Sequence, residues 1–184
     1  MRAKERKPNR LKNYDYSQSG HYFITICTEN RVEWFGKIEN GEMLLNEHGI
    51  IAQRIWLEIP QHFGYISLDE FMVMPNHIHG IIVVGNNVGN RHACSLQKRQ
   101  YQIIPVTVGS YKSAVARNIR QIKSNIPKFV WQKSFYDHVI RDEISLNRIR
   151  EYIRNNPLQW DADVENIKNR RNDNGAYYNN IVRP

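Results

Sequence analysis

Two histidines separated by one residue, His77 and His79, sit inside the otherwise apolar stretch Phe71 to Gly85, FMVMPNHIHGIIVVG. Pro75-Asn76 divides the stretch into two strand-like runs, the second opening on the histidines. Side chains alternate faces along a strand, so His77 and His79 point one way while Ile78 enters the opposite layer. Imidazole is the commonest nitrogen ligand for divalent metals, so the pair is either half of a metal site or two polar residues facing solvent. Gly80 leaves room for another backbone or a ligand to approach. Far downstream Tyr152 and Asn156 stand four residues apart in a helical pattern, hence on one face. A tyrosine and a carboxamide so placed could face the histidine strand across the sheet, and Asn156 would add an oxygen ligand to the two imidazoles. Such a mixed set with open positions suits six-coordinate Mg²⁺ or Mn²⁺ better than a closed structural zinc site, and a helix C-terminus mildly favours a cation. Plainer roles are open too: Asn156 as a helix-ending asparagine before Pro157, and Tyr152 as an aromatic at the core edge.

Rival groups lie nearby in sequence. Tyr136 and His138, in SFYDHVIR, could supply a nucleophile and an imidazole, but Tyr136 has no helical partner four residues on. The Asp137-His138 pair fits a supporting role in which a carboxylate orients an imidazole. Asp69 and Glu70, just ahead of the histidine motif, could also reach a metal. Cys27 and Cys94 form no Cys-x-x-Cys pair and fit a reducing compartment.

The elements that must position these residues follow from the patterning. At 184 residues, 41% of them hydrophobic, the chain suits one domain with a sizeable core. It contains no apolar run near the twenty or so residues that span a bilayer and no secretory leader, so a soluble, cytoplasmic protein is expected, with no membrane partner. A formal charge of +8 and a pI near 9.6 point to a polyanionic partner, nucleic acid first. Residues 1–19 read as a basic arm. His21 to Thr28 alternates like a strand, Asn40-Gly41 marks a hairpin within Val32 to Leu45, and Asn46 caps a helix that carries Ile51, Ile55 and Ile59 and stops at Pro60. Ile66 to Met74 and His77 to Val84 read as antiparallel neighbours. Residues 85–105 read as a long loop. From Thr107 to Lys123 the pattern is helical: Val108, Tyr111, Val115, Ile119 and Ile122 share a face, with Lys112, Arg117, Arg120 and Lys123 off it. That basic side could follow a phosphate backbone or simply face water. Phe129 to Arg141 is extended, Asp142 caps a last helix to Asn156, and the polar stretch after Trp160 reads as a loosely ordered tail.

Three segments in order, MPNHIHGII, WQKSFYDHVIRDE and SLNRIREYIRNNPLQW, resemble the single-tyrosine transposases with a histidine-hydrophobic-histidine motif, and among them the REP-associated tyrosine transposases. The likeness runs from about His21 to Trp160. The resemblance implies an α+β fold, helices packed on an antiparallel sheet in a ferredoxin-like, RRM-like arrangement, with the motif histidines on a central strand. It implies His77 and His79 as metal ligands, Tyr152 as nucleophile and Asn156 completing the site, where relatives have Asn or Gln. It further implies divalent-metal-dependent cutting of single-stranded DNA beside hairpins, through a 5′-phosphotyrosine whose reversal rejoins strands, and a homodimer. Lys112, Arg117, Arg120 and Lys123 are then the expected DNA contacts. The corresponding division is an arm at 1–19, a catalytic domain at 20–160 and a tail at 161–184. The alternative is a domesticated protein of the same fold that binds DNA hairpins without cutting. A His-x-His hydrolase of small substrates fits the basic charge poorly.

Overall fold

The protein is described by a computed structural model, which covers residues 18–85, 102–122 and 128–169. The elements run β1 (Gly20–Cys27), a hairpin of β2 (Gly36–Glu39) and β3 (Glu42–Leu45), α1 (Glu47–Leu57), a single turn α2 (Ile59–His62), β4 (Ile66–Val73), β5 (His77–Val84), α3 (Ile103–Gln121), β6 (Tyr136–Ile140) and α4 (Glu143–Asn155). Four strands form one sheet in the order β4-β5-β1-β6, every pair antiparallel. Without the β2–β3 hairpin this is the βαββαβ order of the ferredoxin-like fold, in the α+β class that the resemblance implies.

Alternation along β1 and β5 divides the interior in two. Tyr22, Ile24, Ile26, Ile78 and Ile82 face a core shared with α1 and α3, while Phe23 and Ile81 face a smaller one closed by Leu146, Ile149 and Ile153 of α4. His77 and His79 lie on the α4 side, the opposite parity from Ile78. Two charge pairs fasten α4 to the edge strand. Arg150 donates through Nε and Nη2 to the two carboxylate oxygens of Asp69 (3.0 and 2.6 Å), and Arg154 Nε donates to Glu70 Oε2 at 2.8 Å. A bulge between Leu68 and Phe71 presents both acids. The Asp142 carboxylate accepts from Ser145 N at 2.8 Å and caps the helix as its sequence suggests.

Local signals hold for the hairpin, where Asn40 and Gly41 both take positive φ (53° and 78°), as a two-residue turn of this hand requires. They mislead in three places. The third helix begins at Ile103, not Thr107, because Pro105 falls in its first turn, where a missing N–H breaks no helical bond. Pro60 does not follow α1 directly; α1 ends at Leu57 and Pro60 opens the separate turn α2. The polar residues after Trp160 are not a loose tail as far as Asn169: Asp163, Val164, Glu165 and Asn166 are buried and 160–162 and 167–169 form 3₁₀ turns. Their polarity is satisfied inside, Glu165 by Arg31 Nε at 2.7 Å and Asn166 Nδ2 by Trp160 O at 2.9 Å. Composition alone does not reveal such partners. The arm at 1–17, residues 86–101 of the long loop and residues 170–184 lie outside the described residues.

Gly80 has a different use from the one its position suggests. A Cβ there would come within 2.3 Å of Trp56 Cζ2, so the space belongs to a fully buried indole of the main core and not to a ligand. Gly80→Ala should destabilise the protein by about 1–3 kcal/mol through overpacking. Chemical denaturation would register this as a lower midpoint at unchanged slope, and an unaltered midpoint would mean that the indole moves freely aside.

Candidate metal and tyrosine site

The two imidazoles, 4.4 Å apart between ring centroids, are both fully buried. His79 Nδ1 lies 2.9 Å from Thr25 Oγ1, on the residue paired with it across β1, and His79 Nε2 lies 3.1 Å from the hydroxyl of Tyr152. Phe23 stacks on His79 at 5.4 Å and meets Tyr152 edge-on at 6.2 Å, fixing both rings from beneath. His77 Nδ1 lies 2.8 Å from Asn76 Oδ1, and Trp160 covers the ring at 6.0 Å. Asn156, the C-cap of α4, donates from Nδ2 to Asp163 Oδ2 at 2.6 Å, and the same carboxylate oxygen lies 3.5 Å from the Tyr152 hydroxyl. His77 Nε2 and Asn156 Oδ1 are buried with no hydrogen bond.

This set of atoms fits a divalent cation. His77, His79 and Asp163 each offer a ligand atom, all within 4.8 Å of one another, and Asn156 Oδ1 is a further oxygen without a partner. A buried lone pair without a donor is costly, and a cation is the kind of partner that removes the cost. Burial, reinforced by the Arg31 charge and opposed by Asn156, pushes His77 down to about 3. Burial, with His77 beside it and Asp163 opposing, also holds His79 well below the ordinary range. Both rings are therefore neutral at pH 7, the state in which imidazole binds metal.

The structure brings together the four residues singled out from sequence, His77, His79, Tyr152 and Asn156, within one chain, and adds two that sequence reasoning missed. Asp163 lay in the presumed tail. Asn76 enters the sequence reading as part of the strand break and of the MPNHIHGII segment, with no role given to its side chain. Asp69 and Glu70 are elsewhere, occupied by Arg150 and Arg154. Tyr136 shares the histidines' sheet face but stands on edge strand β6, packed against Phe23 at 6.2 Å. The expected DNA contacts do not join the site, since α3 packs on the opposite face of the sheet. Arg117 and Arg120 are exposed there, whereas Lys112 donates from Nζ to Gln132 O at 2.6 Å, bracing α3 against the segment before β6; Lys123 lies outside the described residues. Cys27, paired with His77 across β1, is buried, and burial pushes its thiol well up, with Glu165 adding to the effect.

The neutral histidines make stability depend on pH. Below the ordinary value of 6.5 the unfolded chain binds protons that native His77 refuses down to about 3, so stability is full above pH 6.5 and lost as the pH falls. At pH 5 His77 alone costs about 2 kcal/mol, and His79 acts in the same direction. Thermal unfolding of metal-free protein should show Tm falling from pH 7 to pH 5, less steeply in His77→Gln. A Tm independent of pH over this interval would contradict the burial of neutral rings.

No family model matches the chain. An uncharacterized protein of Haemophilus influenzae is 39% identical over 171 residues, which cover 86% of this chain and 91% of that protein. A second Haemophilus influenzae protein, provisionally assigned as a REP-associated tyrosine transposase, is 23% identical over 155 residues, covering 81% of this chain and 77% of its own length. Among solved structures, a REP-associated tyrosine transposase bound to a REP hairpin matches with a TM-score of 0.56 at 16% identity, over 82% of this chain and 73% of that one, and shares the fold. The extent of the first match places both chains in one family, and this chain is a relative of the REP-associated tyrosine transposases.

Proposed function

We propose that this protein is a transposase that cuts and rejoins single-stranded DNA beside hairpins, in the cytoplasm, through a covalent 5′-phosphotyrosine at Tyr152. The observation that carries the proposal is the Tyr152 hydroxyl 3.1 Å from His79 in a buried cluster with His77, Asn156 and Asp163. Relatedness to the REP-associated transposases and the hairpin bound by one of them support the substrate class. A divalent cation, Mg²⁺ or Mn²⁺, held by His77, His79, Asn156 and Asp163 would supply electrophilic stabilisation of a phosphate and its leaving oxygen.

The remaining work belongs to the chain's own groups. Tyr152 is held by Phe23 below and His79 beside it, so its hydroxyl is aimed before any substrate arrives. In the step proposed, an Oη–P bond forms as the P–O3′ bond breaks, the phenolic proton leaves, and the 3′ oxygen departs to become a hydroxyl once protonated. A free tyrosine titrates near pH 10, so the proton needs an acceptor; with His79 committed to the cation, the Asp163 carboxylate, whose Oδ2 lies 3.5 Å from the phenolic oxygen, is the group at hand to take it. Attack by another 3′ hydroxyl on the phosphotyrosine reverses the bond changes and joins strands without ATP. Arg117 and Arg120, on the far side of the sheet, would bind flanking phosphates away from the reacting one, as the net charge of +8 favours. Because the cluster forms within one chain, each subunit of a homodimer would carry a complete site.

Incubation with labelled hairpin DNA bearing a single-stranded flank, with Mn²⁺, should give a covalent protein–DNA band on a denaturing gel. The band should vanish in Tyr152→Phe and His77→Ala and persist in Tyr136→Phe. Binding without any adduct across a panel of hairpins would instead identify a silent hairpin-binding protein, and loss in Tyr136→Phe alone would move the nucleophile to β6. Asp163→Asn should weaken Mn²⁺ binding about tenfold to a hundredfold by calorimetry; undiminished affinity would remove Asp163 from the ligand set.

A further inference from the structure

We infer that Asn76 is a positioning residue that holds His77 as the Nδ1–H tautomer and so turns the bare Nε2 towards Asn156. The inference begins with a carboxamide that has one permitted orientation. Asn76 is fully buried, and its Nδ2 donates to two backbone carbonyls, Arg31 O at 3.1 Å and Glu165 O at 2.9 Å. Carbonyl oxygens only accept, so a flipped amide would set Oδ1 against both of them. The atom 2.8 Å from His77 Nδ1 is therefore Oδ1, itself only an acceptor, and Nδ1 must carry the hydrogen. A neutral ring has one N–H, which leaves the Nε2 lone pair free, in keeping with its lack of a hydrogen bond.

The facing side is constrained by the same logic. Asn156 gives its Nδ2 to the acceptor-only carboxylate of Asp163 at 2.6 Å, so its unpartnered Oδ1 is a second lone-pair donor. Thr25 cannot serve His79 as Asn76 serves His77, because a hydroxyl both donates and accepts and leaves the tautomer open. The two carbonyls that orient Asn76 come from distant parts of the chain, the turn after β1 and the segment after α4. The tautomer of a residue on β5 is thereby set by the docking of residues 163–166.

The benefit to a metal rests on the function proposed above, whereas the tautomer does not, and the test separates them. Long-range ¹H–¹⁵N correlation on metal-free, DNA-free protein, with His77 identified by loss of its signals in His77→Gln, should show a protonated Nδ1 and a bare Nε2. A protonated Nε2, or averaging between tautomers, would overturn the inference. In Asn76→Ala the single tautomer should be lost and Mn²⁺ affinity should fall about tenfold to a hundredfold. A folded Asn76→Ala protein with the wild-type tautomer and affinity would overturn the role of Asn76. Should that variant not fold, the wild-type spectrum still decides. Wild-type protein that binds no Mn²⁺ but shows the Nδ1–H ring would sink the metal reading while upholding this one.

Discussion

Burying two neutral imidazoles side by side on a sheet face is the constraint around which this molecule is arranged. Each ring brings two nitrogens into the protein interior, and each nitrogen must be answered by a donor, an acceptor or a cation. Thr25 answers one from the neighbouring strand, Asn76 one from the turn before the motif and Tyr152 one from α4. The fourth, His77 Nε2, has no hydrogen-bond partner. That nitrogen and the unpartnered Asn156 Oδ1 are the two atoms of the cluster that a cation would satisfy.

The chain beyond α4 completes the answer. Helix α4 delivers Tyr152 and Asn156, yet Asn156 is oriented by Asp163, Asp163 Oδ1 by the Glu165 N–H at 2.6 Å, and Glu165 by Arg31. The Arg31–Glu165 pair is nearly excluded from solvent, with the guanidinium 14% and the carboxylate 3% exposed, and a pair so placed is costly unless its geometry is good. Here it returns the chain to the turn that follows β1. The outer ion pairs of α4 with Asp69 and Glu70 are more exposed and contribute direction more than energy.

What could be read from sequence was what local periodicity records. Alternation on β5 gave the shared direction of His77 and His79, and the four-residue spacing on α4 gave that of Tyr152 and Asn156. A two-residue turn and two side-chain caps were equally legible. Asp163 and Asn76 were not, because both owe their roles to partners far off in sequence, and a polar residue looks the same whether its partner is water or a buried amide. Gly80 shows the converse, a residue whose purpose is set by Trp56 on the far face. Lys112 counted towards the basic face of α3 until its ammonium proved to be bonded to Gln132 O.

The separations in sequence across this site have a consequence during synthesis. The bonds Thr25–His79, His79–Tyr152 and Asn76–Glu165 join residues 54, 73 and 89 positions apart. Contacts so remote form late, since each waits for the chain between to be made and ordered. A nascent chain that has exposed β1 and both histidines still lacks its tyrosine, and one that has reached the tyrosine still lacks the carboxylate and carbonyl that orient the rest. The cluster of His77, His79, Tyr152, Asn156 and Asp163 can therefore assemble only after translation has passed residue 165.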